Sequence, residues 1–375
     1  MQIRPPRWIR IGLVTGVVVL AAGVSVFTYR FVTRPVILTV GAGSIDGEGV
    51  RLMSAIATRL ASSKSHIRLK VVDKGTALAA SQAFSSGEVD LAIVRGDLGD
   101  LSSARTVVLV THGVLMIVVP PGGKIESIEG LKGKTVGVVG GEVNRRLAAI
   151  LDKEYDLSRA KVQFKDLSLA DVQPALQSKQ VQALLIVTPV SERYLAIVRG
   201  FFPRDAKQKP TLIPVESAGA IAAVSQSYES YDLPKGTIRG SPPIPDDDLT
   251  TLRVPYYLVA NRKVGDDLVT DLTKAVMETR GSLIGEHPLV AQISAPSTEK
   301  DAVIPIHPGA AAYFGGEEKT IFDKYGDQFF YASMLLGTLS SIAAAAWKFA
   351  LKDTGGTGGR PPERLHNMIG RISPQ

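Results

Sequence analysis

The apolar positions of residues 36–97 alternate between strand-like runs and helical spacing. Residues 36–40 and 91–94 form short apolar runs, and residues 67–72 contain apolar positions interrupted by Arg68 and Lys70; all three segments are predicted strands. Apolar residues between the first two runs recur at helical spacing, at Leu52, Met53, Ile56 and Leu60. This succession of strand, loop and helix predicts a parallel α/β sheet whose faces are covered by helices.

Two loops rich in glycine, serine and threonine connect these strands to the helices that follow, at residues 43–49 and 74–76. Backbone N–H groups at the start of a helix can hold an anion, and ligands of open α/β sheets bind beyond the carboxyl ends of the strands. The predicted ligand-binding residues on this side are Gly43, Ser44, Ile45, Asp46, Gly47, Thr76, Ala77 and Arg95. A plain turn that needs glycine is the alternative interpretation of the first loop. Asp46 and Glu48 oppose an anionic ligand if they face the cleft, but they complement the helix dipole if they only begin the helix.

Residues 135–190 repeat this order of elements. A strand at 135–139 is followed by a glycine pair and a helical pattern, and a second buried strand at 182–187 ends at a Thr-Pro step. The opposing wall of a cleft is therefore predicted at Gly140, Gly141, Asn144, Thr188 and Pro189. Tyr256, on the strand that returns to the first half, is predicted either to cover a ligand or to belong to the core.

Together these patterns predict a bilobal α/β fold with two parallel-sheet lobes joined by a hinge. The first lobe takes residues 36–118 and 251–326, and the second takes residues 119–250. The Pro- and Gly-rich segment after residue 119 marks the first crossing, and the Gly/Pro/Asp-rich segment 237–248 precedes the return.

Both ends of the chain carry long apolar segments. Residues 11–29 and 328–347 have no charged side chain, and about 20 apolar residues span a bilayer. We therefore expect two transmembrane helices, with a cleaved signal peptide and a buried helix as the respective alternatives. The basic segment 1–10 and the basic, predicted disordered tail 348–375 then lie in the cytoplasm, and the body lies in the periplasm of a bacterium with the bilayer as a partner.

The net charge of +7 comes from the two ends of the chain. Residues 1–34 and 348–375 hold ten Lys or Arg and two acidic residues, which leaves 33 basic and 34 acidic residues between them. A body without excess positive charge argues against nucleic-acid binding.

Candidate chemistry is sparse in this sequence. The chain has no cysteine, its five histidines lack metal-ligand spacing, and there is no Gly-x-Ser-x-Gly motif. We therefore expect no enzyme activity, no catalytic residues, no metal and no cofactor.

Two motifs carry a family resemblance. The run Gly-Glu-Val-Asp-Leu-Ala-Ile-Val at 87–94 and the run His-Pro-Gly-Ala at 307–310 resemble the TAXI-type solute-binding subunits of tripartite ATP-independent periplasmic (TRAP) transporters. The resemblance covers most of residues 36–316, but the loop at 43–49 lacks the aromatic pair of that family and contains Asp46 and Glu48 instead.

This resemblance implies a function without chemistry. The chain is expected to be a membrane-anchored periplasmic binding protein that captures a small, anionic organic solute, such as a carboxylate or an amino acid, by hinge closure. TRAP-type permease subunits are the implied partners. The alternative is a membrane-tethered sensory or scaffold ectodomain that keeps the fold without transport.

Overall fold

The computed structural model describes residues 7–32, 34–44, 47–63, 65–202, 208–299, 302–317 and 321–351. The chain forms two compact units, Pro35–Glu318 and the terminal segments Met1–Arg34 with Lys319–Gln375. The terminal unit contains helix α1 (Arg7–Val32) and helix α10 (Ile321–Leu351), which pack against each other.

The helices predicted at 11–29 and 328–347 are present as parts of α1 and α10. Within the described residues, no helix reaches the length and apolar character that crossing a membrane requires, so the predicted transmembrane spans are not supported. Residues 1–6 and 352–375 of the predicted cytoplasmic segments lie outside the described residues.

The first half of the larger unit follows the predicted order of strands and helices. Strands β1 (Val36–Ala42), β2 (Ile67–Asp73) and β3 (Leu91–Arg95) are parallel, in the spatial order β2-β1-β3. Helices α2 (Glu48–Ser62) and α3 (Ala77–Ser85) connect them. The four apolar residues predicted on one face of α2 are all buried, so the periodicity located this helix correctly.

Two long antiparallel strands run through the whole sheet. Strand β4 (Ala104–Val119) pairs with strand β12 (Leu249–Asn261), which lies between β3 and β4. The register of this pair shifts between Tyr256 and Tyr257, and such bulges bend a strand and redirect its side chains. Both halves of the fold are therefore built onto one continuous pair of strands.

The second half adds a smaller parallel set to the far part of β4. Strands β5 (Thr135–Val139), β6 (Gln163–Leu167) and β7 (Ala183–Pro189) continue the sheet in the order β4-β7-β5-β6, with β7 antiparallel to β4. The remaining strands are β8 (Thr211–Ile213) on β4, β9 (Glu229–Leu233) on β12, and the short pair β10 (Arg239–Gly240) and β11 (Pro243–Ile244). The remaining helices are α4 (Glu142–Tyr155), α5 (Val172–Gln177), α6 (Glu192–Gly200), α7 (Ala218–Val224), α8 (Asp266–Leu283) and α9 (Pro308–Gly315).

Each half buries apolar side chains on both faces of its part of the sheet. In the first half, one cluster joins α2 and α8 to the sheet, and another packs around Phe84 of α3. In the second half, one cluster contains Leu147 of α4 and the other contains Val198 of α6. Two such cores on one sheet confirm the predicted bilobal α/β fold, while the residue bounds of the two lobes remain a prediction.

His307 caps the helix that begins in the His-Pro-Gly-Ala run. It is fully buried at the start of α9, where Nδ1 accepts a hydrogen bond of 3.2 Å from the Gly309 N–H. Burial lowers the pKa of His307, so the imidazole is neutral and can act as this acceptor. Gly309 allows a close approach, because a Cβ there would lie 2.1 Å from the Asp266 carbonyl oxygen.

An ion-pair cluster ties β4, β9 and β12 together and gives a prediction on pH dependence. The His112 imidazole and the Arg253 guanidinium, 3.6 and 2.6 Å from the Glu229 carboxylate, lower the pKa of Glu229 to about 2. A carboxylate with a depressed pKa adds stability above its ordinary value of 4.5, and this contribution is lost as the pH falls towards 2. The free energy of unfolding should therefore decrease less steeply between pH 5 and pH 2 in Glu229→Gln than in the wild type.

Urea unfolding at a series of pH values measures this difference. Glu126→Gln is the matched control, since Glu126 is exposed and makes no ion pair within the described part of the chain. Equal slopes for Glu229→Gln and the wild type would contradict the prediction.

Candidate functional site

A cavity of about 100 Å³ lies between the two halves of the larger unit, at the carboxyl ends of the parallel strands. Its first wall comes from the loop after β1, the start of α2 and α3, and strands β3, β4 and β12. Its second wall comes from the end of β5 and β7, the start of α4, and helix α6. This is the position at which the sequence predicted a ligand site.

The first wall depends on a close approach of two loops. Ser44 Oγ accepts a hydrogen bond of 2.9 Å from the Gly49 N–H in the first turn of α2. Gly43 rests against the backbone of Thr76, where a Cβ would come within 2.5 to 2.7 Å of three Thr76 atoms. Thr76 begins α3 by accepting a hydrogen bond of 3.1 Å from the Ala79 N–H. Glycine at position 43 therefore lets both loops meet at the edge of the cavity.

Asn144 is the main polar group of the second wall. It lies on α4, is 1% exposed, and uses its side-chain amide to donate a 2.7 Å hydrogen bond to the Val139 carbonyl oxygen. Its Oδ1 accepts a 2.5 Å hydrogen bond from Arg95 Nη1. Both ends of the Asn144 amide are therefore fixed by the protein.

Arg95 lies behind the cavity wall and connects the two halves of the fold. Its side chain is fully buried at the end of β3, where Nε and Nη2 pair with the two Asp97 oxygens at 2.5 and 2.9 Å. The remaining N–H groups reach α4, at Asn144 and at the Val143 carbonyl oxygen. The Tyr228 hydroxyl donates a 2.8 Å hydrogen bond to Asp97. Arg95, predicted to hold a ligand carboxylate, is thus occupied by the protein itself.

The Arg95 guanidinium of this buried network stays charged. Burial alone would lower the pKa of Arg95, but the contacts with Tyr256 and Asp97 raise it above its ordinary value. Burial and the neighbouring Asp97 carboxylate also raise the pKa of Tyr228, which keeps its hydroxyl protonated as a donor.

Glu48 is the charged residue of the cavity wall, which the sequence predicted either to face the cleft or only to begin a helix. Its side chain is 6% exposed in the first turn of α2. Its carboxylate lies 3.1 Å from both Arg51 Nε and Arg193 Nη1, and 3.6 Å from His287 Nδ1. Because Arg193 belongs to α6, this ion pair connects the two halves as the Arg95 network does.

The structure brings seven of the fourteen predicted residues to the cavity wall. Gly43, Ser44, Ala77 and Tyr256 lie on the first wall, and Asn144, Thr188 and Pro189 lie on the second. Gly47, Thr76, Arg95, Gly140 and Gly141 lie near it without lining it. Ile45 and Asp46 lie outside the described residues. Whether the seven wall residues contact a ligand stays a prediction.

Most of the remaining wall is apolar and was not predicted. Leu52, Ile93, Val110, Val187, Ile197 and Phe201 line the cavity, although the pattern of the sequence assigned such positions to the core. Two of these wall residues could have been predicted from their position in the sequence, because Ile93 and Val187 lie near the carboxyl ends of predicted strands.

Within the described part of the chain, no group of three or more His, Asp or Glu side chains is placed to hold a metal ion.

Comparison with known proteins links the chain to one family. A model of the NMT1-like family matches residues 40–318. No curated protein matches the sequence.

Several solved structures are similar over most of the chain. An ancestral arginine-binding protein bound to arginine shares 20% identity over 68% of this chain and 96% of its own, with a TM-score of 0.41. The GluR0 ligand-binding core from Nostoc punctiforme in complex with L-glutamate shares 15% identity over 68% of this chain and 97% of its own, with a TM-score of 0.41. XAC2383 from Xanthomonas citri bound to ATP shares 11% identity over 75% and 94%, with a TM-score of 0.46. Likenesses at this level do not identify what the present cavity binds.

Proposed function

The chain belongs to the NMT1-like family, and from this premise we propose that it is an extracytoplasmic solute-binding protein. The observation that carries the proposal is the cavity walled by both halves of a bilobal fold. A small solute bound there contacts both lobes at once and therefore stabilises their closed arrangement. The TAXI resemblance of the motifs at 87–94 and 307–310 supports the extracytoplasmic location.

Contacts between the two lobes affect the equilibrium between the open and closed forms. The hydrogen bond from Arg95 to Asn144 and the ion pair of Glu48 with Arg193 each join one lobe to the other. Strands β4 and β12 continue through both lobes and provide the connection about which they move. Opening separates these polar partners, so each contact favours the closed form and a ligand adds to that preference.

The same resemblance supports a TRAP-type permease as the membrane partner that receives the solute. For the ligand, the resemblance implies a carboxylate or an amino acid, whereas the cavity walls, which carry no Lys, Arg or His among the described residues, favour an uncharged solute. Uptake by vesicles that contain a TRAP-type permease, with and without the purified chain, tests the partnership. Uptake that does not depend on the chain would contradict it.

Ligand binding is tested with the purified full-length chain. Carboxylates, amino acids, alcohols and small aromatic compounds are screened by thermal unfolding, because a ligand at a hundred times its dissociation constant stabilises a protein by about 2.7 kcal/mol. We expect at least one compound to raise the melting temperature saturably and to reduce the radius of gyration measured by small-angle X-ray scattering.

A cavity-filling variant connects the binding to this site. Ala77→Leu places a larger side chain on the cavity wall and should abolish the thermal shift. Ala223→Leu adds the same volume at an exposed position of α7 and should leave it unchanged. Saturable binding of no compound, or equal binding by Ala77→Leu, would overturn the proposal.

A further inference from the structure

We infer that the solute is an uncharged and mostly apolar small molecule with a single hydroxyl-type group, which rests on the binding function proposed above. The apolar character follows from the walls. Their large side chains are mostly aliphatic or aromatic, among them Leu52, Ile93, Val110, Ile197 and Phe201. Such walls favour binding of the apolar surface of a ligand, and they offer few hydrogen-bond partners to its polar atoms.

Most polar groups of the walls already have partners within the protein. Ser44 Oγ accepts from the Gly49 N–H, and both ends of the Asn144 amide are bonded. The Thr111 hydroxyl donates to the Gln292 side chain. A ligand with several polar groups would lose its hydrogen bonds to water and find few replacements, which disfavours its binding.

The Thr188 hydroxyl, unlike these groups, is available to bind the polar group of the ligand. Thr188 lines the cavity at the end of β7, is 6% exposed, and its hydroxyl makes no hydrogen bond with any residue that the structure describes. A hydroxyl both donates and accepts, so it matches one neutral hydroxyl or carbonyl of a ligand.

The charged side chains at the site disfavour both anionic and cationic ligands. None of the described residues that line the cavity is Lys, Arg or His, so an anion finds no cationic side chain on the walls. It would also face the carboxylate of Glu48. A cation is no better placed, because Arg51 and Arg193 already hold that carboxylate at 3.1 Å each. Unpaired charges bind poorly in such a desolvated site.

The size of the cavity limits the ligand to a compact molecule. An apolar cavity of about 150 Å³ in another protein accommodates benzene. The present cavity of about 100 Å³ is smaller, which suits a short branched alcohol.

Three probes of nearly equal shape test the inference with the full-length chain. 3-Methylbutan-1-ol, 3-methylbutanoate and 3-methylbutylamine differ mainly in charge, and their dissociation constants are measured by isothermal titration calorimetry. We expect the alcohol to bind at least tenfold more tightly than either ion. Tighter binding of the carboxylate or the amine would overturn the inference and leave the binding function standing. If none of these probes and no compound of the broader screen bound saturably, both would be overturned.

Two variants test the residues that carry the inference. Glu48→Gln removes the repulsion of an anion and releases Arg193, so the affinity for 3-methylbutanoate should rise at least tenfold. Glu142→Gln, an exposed acid in the first turn of α4, should not produce this gain. Thr188→Val keeps the shape of the side chain and should weaken binding of the alcohol about fivefold, the loss of one neutral hydrogen bond. An unchanged affinity of Thr188→Val for the alcohol, or of Glu48→Gln for the carboxylate, would overturn the corresponding assignment.

Discussion

Replacing Arg95 by methionine should lower the free energy of unfolding by about 3–5 kcal/mol, the usual cost of removing one partner from a buried ion pair. The substitution leaves the Asp97 carboxylate buried, with the Tyr228 hydroxyl as its one side-chain donor among the described residues, and it removes the hydrogen bond that fixes Asn144. Urea unfolding at pH 7, followed by circular dichroism, measures the loss.

Two further variants separate this effect from the loss of a surface charge. Arg145→Met removes an arginine that also pairs with an aspartate but is 63% exposed, and exposed pairs contribute only about 0–1 kcal/mol. The double variant Arg95→Met/Asp97→Leu replaces the buried pair by apolar side chains and should recover part of the loss. A cost for Arg95→Met no larger than that for Arg145→Met would show that the network does not hold the lobes together.

Replacing Gly43 by alanine should lower the free energy of unfolding by about 1–3 kcal/mol and abolish solute binding. The new Cβ would lie 2.5 to 2.7 Å from backbone atoms of Thr76, which cannot rotate away as the end of a side chain can. The loop after β1 must therefore move, and it carries part of the cavity wall. Urea unfolding and titration with the best solute of the screen measure the two effects.

Gly49→Ala is the matched control for this substitution. Gly49 lies in the same wall, but its Cβ would stay 3.6 Å from the nearest atoms, an ordinary contact distance. Alanine also favours the helix in which Gly49 lies. Equal stability of Gly43→Ala and Gly49→Ala would contradict the close approach of the two loops.

The sequence predicted those features that depend on local patterns. The helical spacing of Leu52, Ile56 and Leu60 located α2, because an amphipathic helix must turn its apolar stripe towards the sheet. The glycine-rich loop at Gly43 was also predicted to lie at the ligand site. It follows the carboxyl end of a strand, which is where open α/β sheets bind their ligands.

Features that depend on distant residues could not be predicted in this way. Arg95 ends a buried strand, a position that is common for a ligand partner, but its partners Asn144 and Val143 come from another lobe. The local sequence pattern does not show that these contacts occupy the hydrogen-bond donors of the Arg95 guanidinium. The apolar wall was missed for a related reason, because Val110 and Phe201 have the same sequence signature in a core as on the wall of a cavity.

The position of β12 also determines how the chain is assembled during synthesis. Strands β3 and β4 leave the ribosome early, but β12, which separates them in the finished sheet, follows only after the whole second lobe. The Thr251 hydroxyl, for example, donates to the Leu115 carbonyl oxygen across 136 residues of chain. Until β12 emerges, β3 and β4 present unpaired edges, which invite pairing with other chains. The yield of this protein in cells should therefore be limited by aggregation of the nascent chain more than by the stability of the completed fold.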